Sequence, residues 1–322
     1  MSQPQKKNER ERRFFRAMVR HVSAPMLVIS ILWLSTVIWP PNVTAHWPFV
    51  SALQASAFCA AITAVFAVGL FRSALRAFLF ALIAVVLVAA VPRIPALFVS
   101  DATADSVRVL ALNTYLGQAD DHAIAERVKE LKPDVLILSE TNPDEVEQVA
   151  SETTMVPTNT AEPGKGGADA VAILLRQGSD FGAHQDLGLT RFQNPMVTRP
   201  VLTPGGKPLH VVGAHLVAPI GNDRPEWDQE LKSIAEWTDG KKATGTSGVI
   251  VAGDFNATRS HPRFRDINLK DCTGHMAHTP TWPTVMPVLR LDHIMTTGTC
   301  HSAGTVRVAG TDHRGVWADI TA

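Results

Sequence analysis

The sequence predicts a layered α/β domain preceded by three transmembrane helices, and three observations carry that reading. Residues 1–100 hold three apolar runs long enough to cross a bilayer. From Val107 onward, short β-rich runs alternate with polar helix-forming stretches, the pattern of sheets covered by helices. The charge changes at the same boundary. Residues 1–100 carry 10 Lys/Arg against 2 Asp/Glu, a balance of +8, whereas residues 101–322 carry 20 against 28, a balance of −8. Such asymmetry separates a membrane-facing arm from a soluble body. Three parts follow: a basic cytoplasmic tail (1–21), a three-helix transmembrane module (22–99) and a soluble domain (100–322).

The tail contributes Lys6, Lys7, Arg10, Arg12, Arg13, Arg16 and Arg20. The apolar runs are Val22–Trp39, Phe49–Phe71 and Ala74–Val91, uncharged except for Arg76 at the edge of the third. Runs of about 17–25 residues match a hydrocarbon core roughly 30 Å thick. Positive residues stay cytoplasmic. The tail and the Arg72/Arg76 turn therefore lie inside, and the uncharged Pro40–Pro48 loop lies outside. Three crossings then deliver the soluble domain to the outer face of a bacterial-type cell membrane. Trp33, Trp39 and Trp47 suit the interface. Two other readings stay open. The first run can be a signal peptide cleaved near Val43-Thr44-Ala45, which leaves the orientation unchanged, or the runs can be buried helices of a soluble protein.

In the soluble domain, strands are expected at Val107–Leu112, Val135–Leu138, Ala170–Leu175, Val197–Leu202, Leu209–Ala214, Gly248–Ala252, Leu289–Met295, Thr305–Val308 and Val316–Ile320. Helices are expected at His122–Leu131, Pro225–Thr238 and His261–Ile267, with loops at Glu162–Gly167 and Lys241–Gly248. No amphipathic or strongly apolar insertion hairpin stands out. Of the three cysteines, Cys59 lies within an apolar run, and Cys272 and Cys300 can pair if the domain is exported. No CxxC spacing supports a thiolate metal site.

Polar residues fall where strands end. Asn113 follows Val-Leu-Ala-Leu, Glu140 follows Val-Leu-Ile-Leu-Ser, and His215 follows Val-Val-Gly-Ala. Asp254 and Asn256 follow Val-Ile-Val-Ala-Gly, Asp292 lies in Leu-Arg-Leu-Asp-His-Ile, and Asp312-His313 precedes the last strand. Rigid strands converging at one sheet edge can hold such groups within catalytic tolerances. Oxygen ligands without thiolates suit Mg²⁺, Mn²⁺ or Ca²⁺ better than zinc, and carboxylate-bound Mg²⁺ keeps room for a phosphate oxygen.

Taken in order, Asn113-Thr114, Leu138-Ser139-Glu140-Thr141, Gly213-Ala214-His215-Leu216, Gly253-Asp254-Phe255-Asn256-Ala257, Arg290-Leu291-Asp292-His293-Ile294 and Thr311-Asp312-His313-Arg314 resemble the signature of the endonuclease/exonuclease/phosphatase superfamily. The resemblance spans nearly the whole soluble part. It implies a four-layer α/β/β/α sandwich with the site at one edge of the paired sheets, and a metal-dependent phosphoric ester hydrolase. It assigns Glu140 as principal metal ligand, with Asn113 and Asp312 supporting the metal. Asp254 orients or deprotonates the attacking water, and Asn256 binds the phosphoryl group. Asp292 holds His313 against the scissile phosphate, and His215 sits on the phosphate side. Trp282 can line the substrate site, although packing explains it equally well. His293 reads as structural.

The substrate stays open among nucleic acid, nucleotide and phospholipid. A net charge of −8 with scattered Lys/Arg lowers the case for a nucleic-acid groove, whose affinity rests on phosphate neutralisation. Membrane tethering through residues 22–99 raises a lipid-directed phosphodiesterase or phosphatase as the alternative. A catalytically inactive membrane scaffold on the same fold is the reading from another class. No protein partner can be inferred.

Overall fold

The computed structural model describes residues 14, 21–47, 49–69, 105–158, 167–200, 208–245, 247–273 and 280–321. It divides into an N-terminal helical unit and a larger α/β unit.

In the helical unit, α1 (residues 21–35) runs into a 3₁₀ turn at Thr36–Ile38. The stretch His21–Ile38 is long and apolar enough to cross a membrane. Val28, Ile29, Ile31 and Leu32 are exposed along it. Pro40 ends this segment, and α2 (Pro41–Thr44) begins with a proline at its first turn. The second expected span is not one helix. It comprises α3 (Val50–Ala55) and the 13-residue α4 (Ala57–Gly69), separated at Ser56. The break has a local cause: the Gln54 amide turns back to donate to the Thr36 carbonyl at 2.8 Å, and the Ser56 hydroxyl bonds Ala52 O. The described α4 falls short of the roughly 20 residues a span needs. Leu27 packs on Ala64 and Ala67, small residues that let helices approach closely. The third expected span, Ala74–Val91, lies outside the described residues.

The α/β unit holds two six-stranded mixed sheets. The first has the order β11-β12-β1-β2-β4-β3, from Thr299–Val306, Gly315–Thr321, Val107–Asn113, Val135–Ser139, Val171–Arg176 and Met155–Pro157. The second has the order β5-β6-β7-β8-β10-β9, from Gly182–Asp186, Pro195–Arg199, Leu209–His215, Gly248–Asp254, Asp292–Thr296 and Lys270–Asp271. The apolar strands make sense once both faces are traced. On β1, Val109 and Ala111 enter the core between the sheets, together with Ile137, Val211, Ile250 and Ile294. Leu110 and Leu112 point the other way, onto Ile124 and Val128 of α5 (Asp121–Leu131) and Val146 and Val149 of α6 (Pro143–Glu152). On the second sheet, Val212, Ala214, Val249 and Val251 meet Trp227, Leu231 and Ile234 of α7 (Arg224–Thr244). Successive residues face opposite layers, so a strand covered on both sides reads as unbroken hydrophobic sequence. The expected α/β/β/α sandwich is what forms.

Several boundaries differ from expectation. Helix α7 continues to Thr244 through the stretch expected as a loop. Lys241 and Lys242 complement its C-terminal dipole, and Gly245 supplies the left-handed cap at φ 60°. Strand β10 begins at Asp292 rather than Leu289, because Leu289 pairs with Trp282 across a short hairpin. Strand β11 starts at Thr299, and β6 ends at Arg199 with 201–207 outside the described residues. The short edge strands β3, β5 and β9 were not anticipated. Cys272 and Cys300 form a disulfide. It links the segment after β9, at the edge of one sheet, to β11, at the edge of the other.

Candidate active site

Strand direction gathers the polar residues. β1 and β2 are parallel in one sheet, and β7 and β8 are parallel in the other, so Asn113, Glu140, His215 and Asp254 all emerge at C-terminal ends. β10 and β12 run antiparallel to β8 and β1. Their starts, preceded by Asp312-His313 in the case of β12, therefore return to the same rim. Register makes this explicit: His215 lies opposite Asp254, and Asp254 opposite Asp292.

Asn113 joins the two sheets. Its Nδ2 donates to Glu140 Oε1 at 2.8 Å and to Asp254 Oδ2 at 3.0 Å. Its Oδ1 accepts from the Tyr115 backbone N–H at 2.9 Å, which fixes the amide orientation, since only the oxygen can accept. Asn113 thus aligns two carboxylates through its nitrogen, rather than facing them with an oxygen. His215 Nε2 lies 3.5 Å from Glu140 Oε1 and 3.9 Å from Asp254 Oδ2, and its ring stacks on Phe192. His313 Nδ1 bonds Asp292 Oδ2 at 2.9 Å, leaving Nε2 directed at Asp254 Oδ2, 3.7 Å away. Burial alone would push the His313 imidazole down. The carboxylates of Asp292 and Asp254, the Asp292 hydrogen bond and the nearby Asp312 overcome this and raise it to about 10, so this ring is cationic at neutral pH.

The remaining assigned residues take secondary positions. The Asn256 backbone N–H donates to Asp254 Oδ1 at 2.8 Å, and its side-chain amide donates to Leu216 O at 2.8 Å, clamping the loops after β7 and β8 together. Asp312 Oδ2 accepts the Trp282 indole N–H at 2.8 Å. The other oxygen, Oδ1, is buried without a hydrogen-bond partner, 4.0 Å from His313 Nε2. Trp282 therefore acts first as a support for Asp312. His293 is fully buried between Asp271 Oδ2 (3.1 Å) and Ala257 O (3.0 Å), a structural post beneath the Asp254 loop.

Backbone strain concentrates at this rim. Glu140 and Asn256 are non-glycine residues with φ of 55° and 46°, a conformation costing on the order of 1–3 kcal/mol each and retained where geometry is needed. Gly253 has φ 142°, and a Cβ there would sit 1.9 Å from Ala214 O. No other residue allows β7 and β8 to approach this closely just before His215 and Asp254.

Sequence reasoning missed the layer behind the metal-facing groups. Glu145 is buried, and it accepts hydrogen bonds from the hydroxyls of Thr114 and Thr141, the residues following Asn113 and Glu140. Burial raises its carboxyl to about 7, against the opposing pull of those two hydrogen bonds. One signal was available: Asn142-Pro143-Asp144-Glu145 is a helix-start pattern, and the Asn142 side chain caps Glu145 N.

The donor set fits a hard divalent cation. Glu140, His215 and Asp254 bring ligand atoms within 4.8 Å of one another, and so do Asp254, Asp292 and His313. Buried carboxylates outnumber the cationic groups beside them, which is costly without a further positive charge. Such a cation would be held by Glu140, with Asp254, His215 and Asp312 adjacent.

The fold has close counterparts among solved structures. Truncated TDP2 of Caenorhabditis elegans aligns with a TM-score of 0.54 at 18% identity, covering 69% of this chain and 100% of that one. D. rerio TDP2 complexed with single-strand DNA product gives 0.53 at 18%, covering 67% and 99%. The human nocturnin catalytic domain with bound sulfate gives 0.51 at 18%, covering 67% and 93%. None of the curated proteins matches. The family model for the endonuclease/exonuclease/phosphatase family matches residues 110–313, spanning every strand-end residue described above, and this chain belongs to that family.

Proposed function

We propose that this chain is a membrane-anchored, divalent-metal-dependent phosphoesterase that hydrolyses phosphodiester or phosphomonoester bonds by direct attack of water. One observation carries the reading: carboxylates from both sheets, Glu140 and Asp254, are held by the single amide of Asn113 beside two imidazoles. A bound Mg²⁺-class ion supplies Lewis-acid polarisation of a phosphoryl oxygen. Asp254, oriented through both its oxygens by Asn113 and Asn256, takes a proton from the attacking water as the new P–O bond forms. His313, its Nδ1 held by Asp292, faces the charge developing on the phosphoryl oxygens with Nε2. The ester P–O bond breaks, and the departing oxygen takes up a proton from solvent water.

Anchoring is read from the apolar segment His21–Ile38 behind a basic tail, a pattern that favours an α/β unit outside the cytoplasm. The Cys272–Cys300 disulfide suits an oxidising compartment. A phosphatase reporter fused after residue 322 should be active in cells, and a silent but well-expressed fusion would refute the orientation.

The catalytic test uses the full-length chain in detergent with bis(p-nitrophenyl) phosphate. Hydrolysis should require Mg²⁺ or Mn²⁺, stop with EDTA, and fall by about 10²–10⁴-fold in kcat in Asp254→Asn. Failure to hydrolyse any phosphoester with Mg²⁺, Mn²⁺ or Ca²⁺ would refute the proposal.

A further inference from the structure

Among the described residues of the α/β unit, seven large apolar side chains are exposed, and six of them sit on three loops at the catalytic rim. Tyr115 and Leu116 follow Asn113, with 40% and 46% exposure. Ile220, at 69%, lies in the loop after His215. Val285, Met286 and Val288, at 92%, 71% and 42%, form the tip of the hairpin between Trp282 and Leu289. That hairpin is built rather than loose. Val288 N and Leu289 N both donate to Trp282 O, at 3.0 and 2.9 Å, and Thr284 N donates to Asp312 O, at 2.6 Å. The seventh residue, Val156, pairs with Leu175, which aligns with Val135 at the opposite end of the sheet from Ser139.

We infer that this apolar rim docks into the headgroup–acyl boundary of a lipid bilayer, and that the substrate is a headgroup phosphoester of a membrane lipid. The inference rests on the phosphoesterase reading above and narrows its substrate. Aliphatic tips enter that boundary by burying apolar area, whereas exposed clusters of this kind are uncommon on surfaces that meet only water. Residues 115–119, 216–222 and 281–289 contain no charged side chain. A nucleic-acid rim needs cations for phosphates and aromatic platforms for bases, and only Tyr115 is aromatic among the six. The same absence of Lys and Arg means that docking does not need anionic lipid. The bilayer is the favoured occupant because the chain carries its own membrane-length helix, His21–Ile38.

The test uses the full-length chain reconstituted in vesicles of phosphatidylcholine, phosphatidylethanolamine and phosphatidylglycerol. A fluorophore on Met286→Cys, in a Cys59→Ala background, should be quenched by nitroxide lipids and shielded from aqueous iodide, in low and high salt alike. The same fluorophore on Val156→Cys should show the reverse. Phosphorus NMR should show loss of lipid phosphoester, slowed roughly tenfold or more by Val285→Asp or Met286→Asp, with hydrolysis of bis(p-nitrophenyl) phosphate unchanged. An enzyme active on the soluble ester whose position 286 stays open to iodide, or which leaves vesicle lipids intact, overturns the inference. Cleavage of single-stranded DNA that protects position 286, with no lipid turnover, overturns it in favour of nucleic acid. Inactivity on the soluble ester as well would instead count against the phosphoesterase reading.

Discussion

Asp292→Asn probes the electrostatic heart of the site at nearly constant shape. In the metal-free fold, His313 is displaced from 6.5 to about 10, with burial opposing and the carboxylates of Asp292, Asp254 and Asp312 driving the rise. A rise of that size corresponds to roughly 5 kcal/mol of preference for the imidazolium in the folded chain. Asp292 accepts the 2.9 Å hydrogen bond, while Asp254 and Asp312 stand 3.7 and 4.0 Å from the other ring nitrogen. Its share is therefore the largest, on the order of 2 kcal/mol. The sign follows from linkage: a histidine raised in the fold contributes its full stabilisation below the unfolded value of 6.5 and loses it as pH rises through about 10. EDTA-treated full-length protein should therefore lose stability in denaturant titrations between those limits. Asp292→Asn should start on the order of 2 kcal/mol lower at the acid end and fall less steeply. Curves for the two proteins that stay parallel across the range would refute the coupling between Asp292 and His313.

Other perturbations bear on separate layers. Gly253→Ala places a methyl group against Ala214 O; it should cut kcat roughly a hundredfold by separating β7 from β8, and near-normal turnover would show that the approach is dispensable. Cys272→Ser opens a 28-residue link and should cost roughly 3.5 kcal/mol in urea titrations, so an unchanged midpoint would argue that the sheets hold their edges unaided. Glu145, raised to about 7 by burial, favours the fold fully below its unfolded value and loses that contribution as pH rises through 7. Stability of Glu145→Gln should consequently vary less between pH 5 and 8, and an identical dependence would place the titration elsewhere.

Much of the rim's geometry was legible because strand ends advertise themselves. Asp254 and Glu140 follow runs too apolar to be anything but buried strands, and polar residues directly after such runs must surface at a sheet edge. The orientation of Asn113 was not legible. It depends on the Tyr115 amide turning back at φ 54°, a detail of the turn rather than of residue type. The second apolar run misled for a similar reason: hydropathy records that Phe49–Phe71 is greasy, but not that Gln54 would bend it by bonding Thr36. Nor does composition distinguish the apolar string before Asp292 as a strand from the same string folded into an exposed hairpin. Pairing of Trp282 with Leu289 decides that, and it is a tertiary event. Edge strands of two to five residues, such as β9 and β5, carry too few residues for any periodicity.

The position of the last strand has a consequence for biosynthesis. β12 is inserted between β11 and β1, hydrogen-bonded on both flanks, and His313 lies two residues before it. A chain that still lacks residues 313–321 would hold Glu140 and Asp254 without the His313 imidazole and without the strand that joins β11 to β1. Assembly of the rim therefore waits on this segment, and a chain truncated before His313 would lack the Asp292–His313 pair altogether.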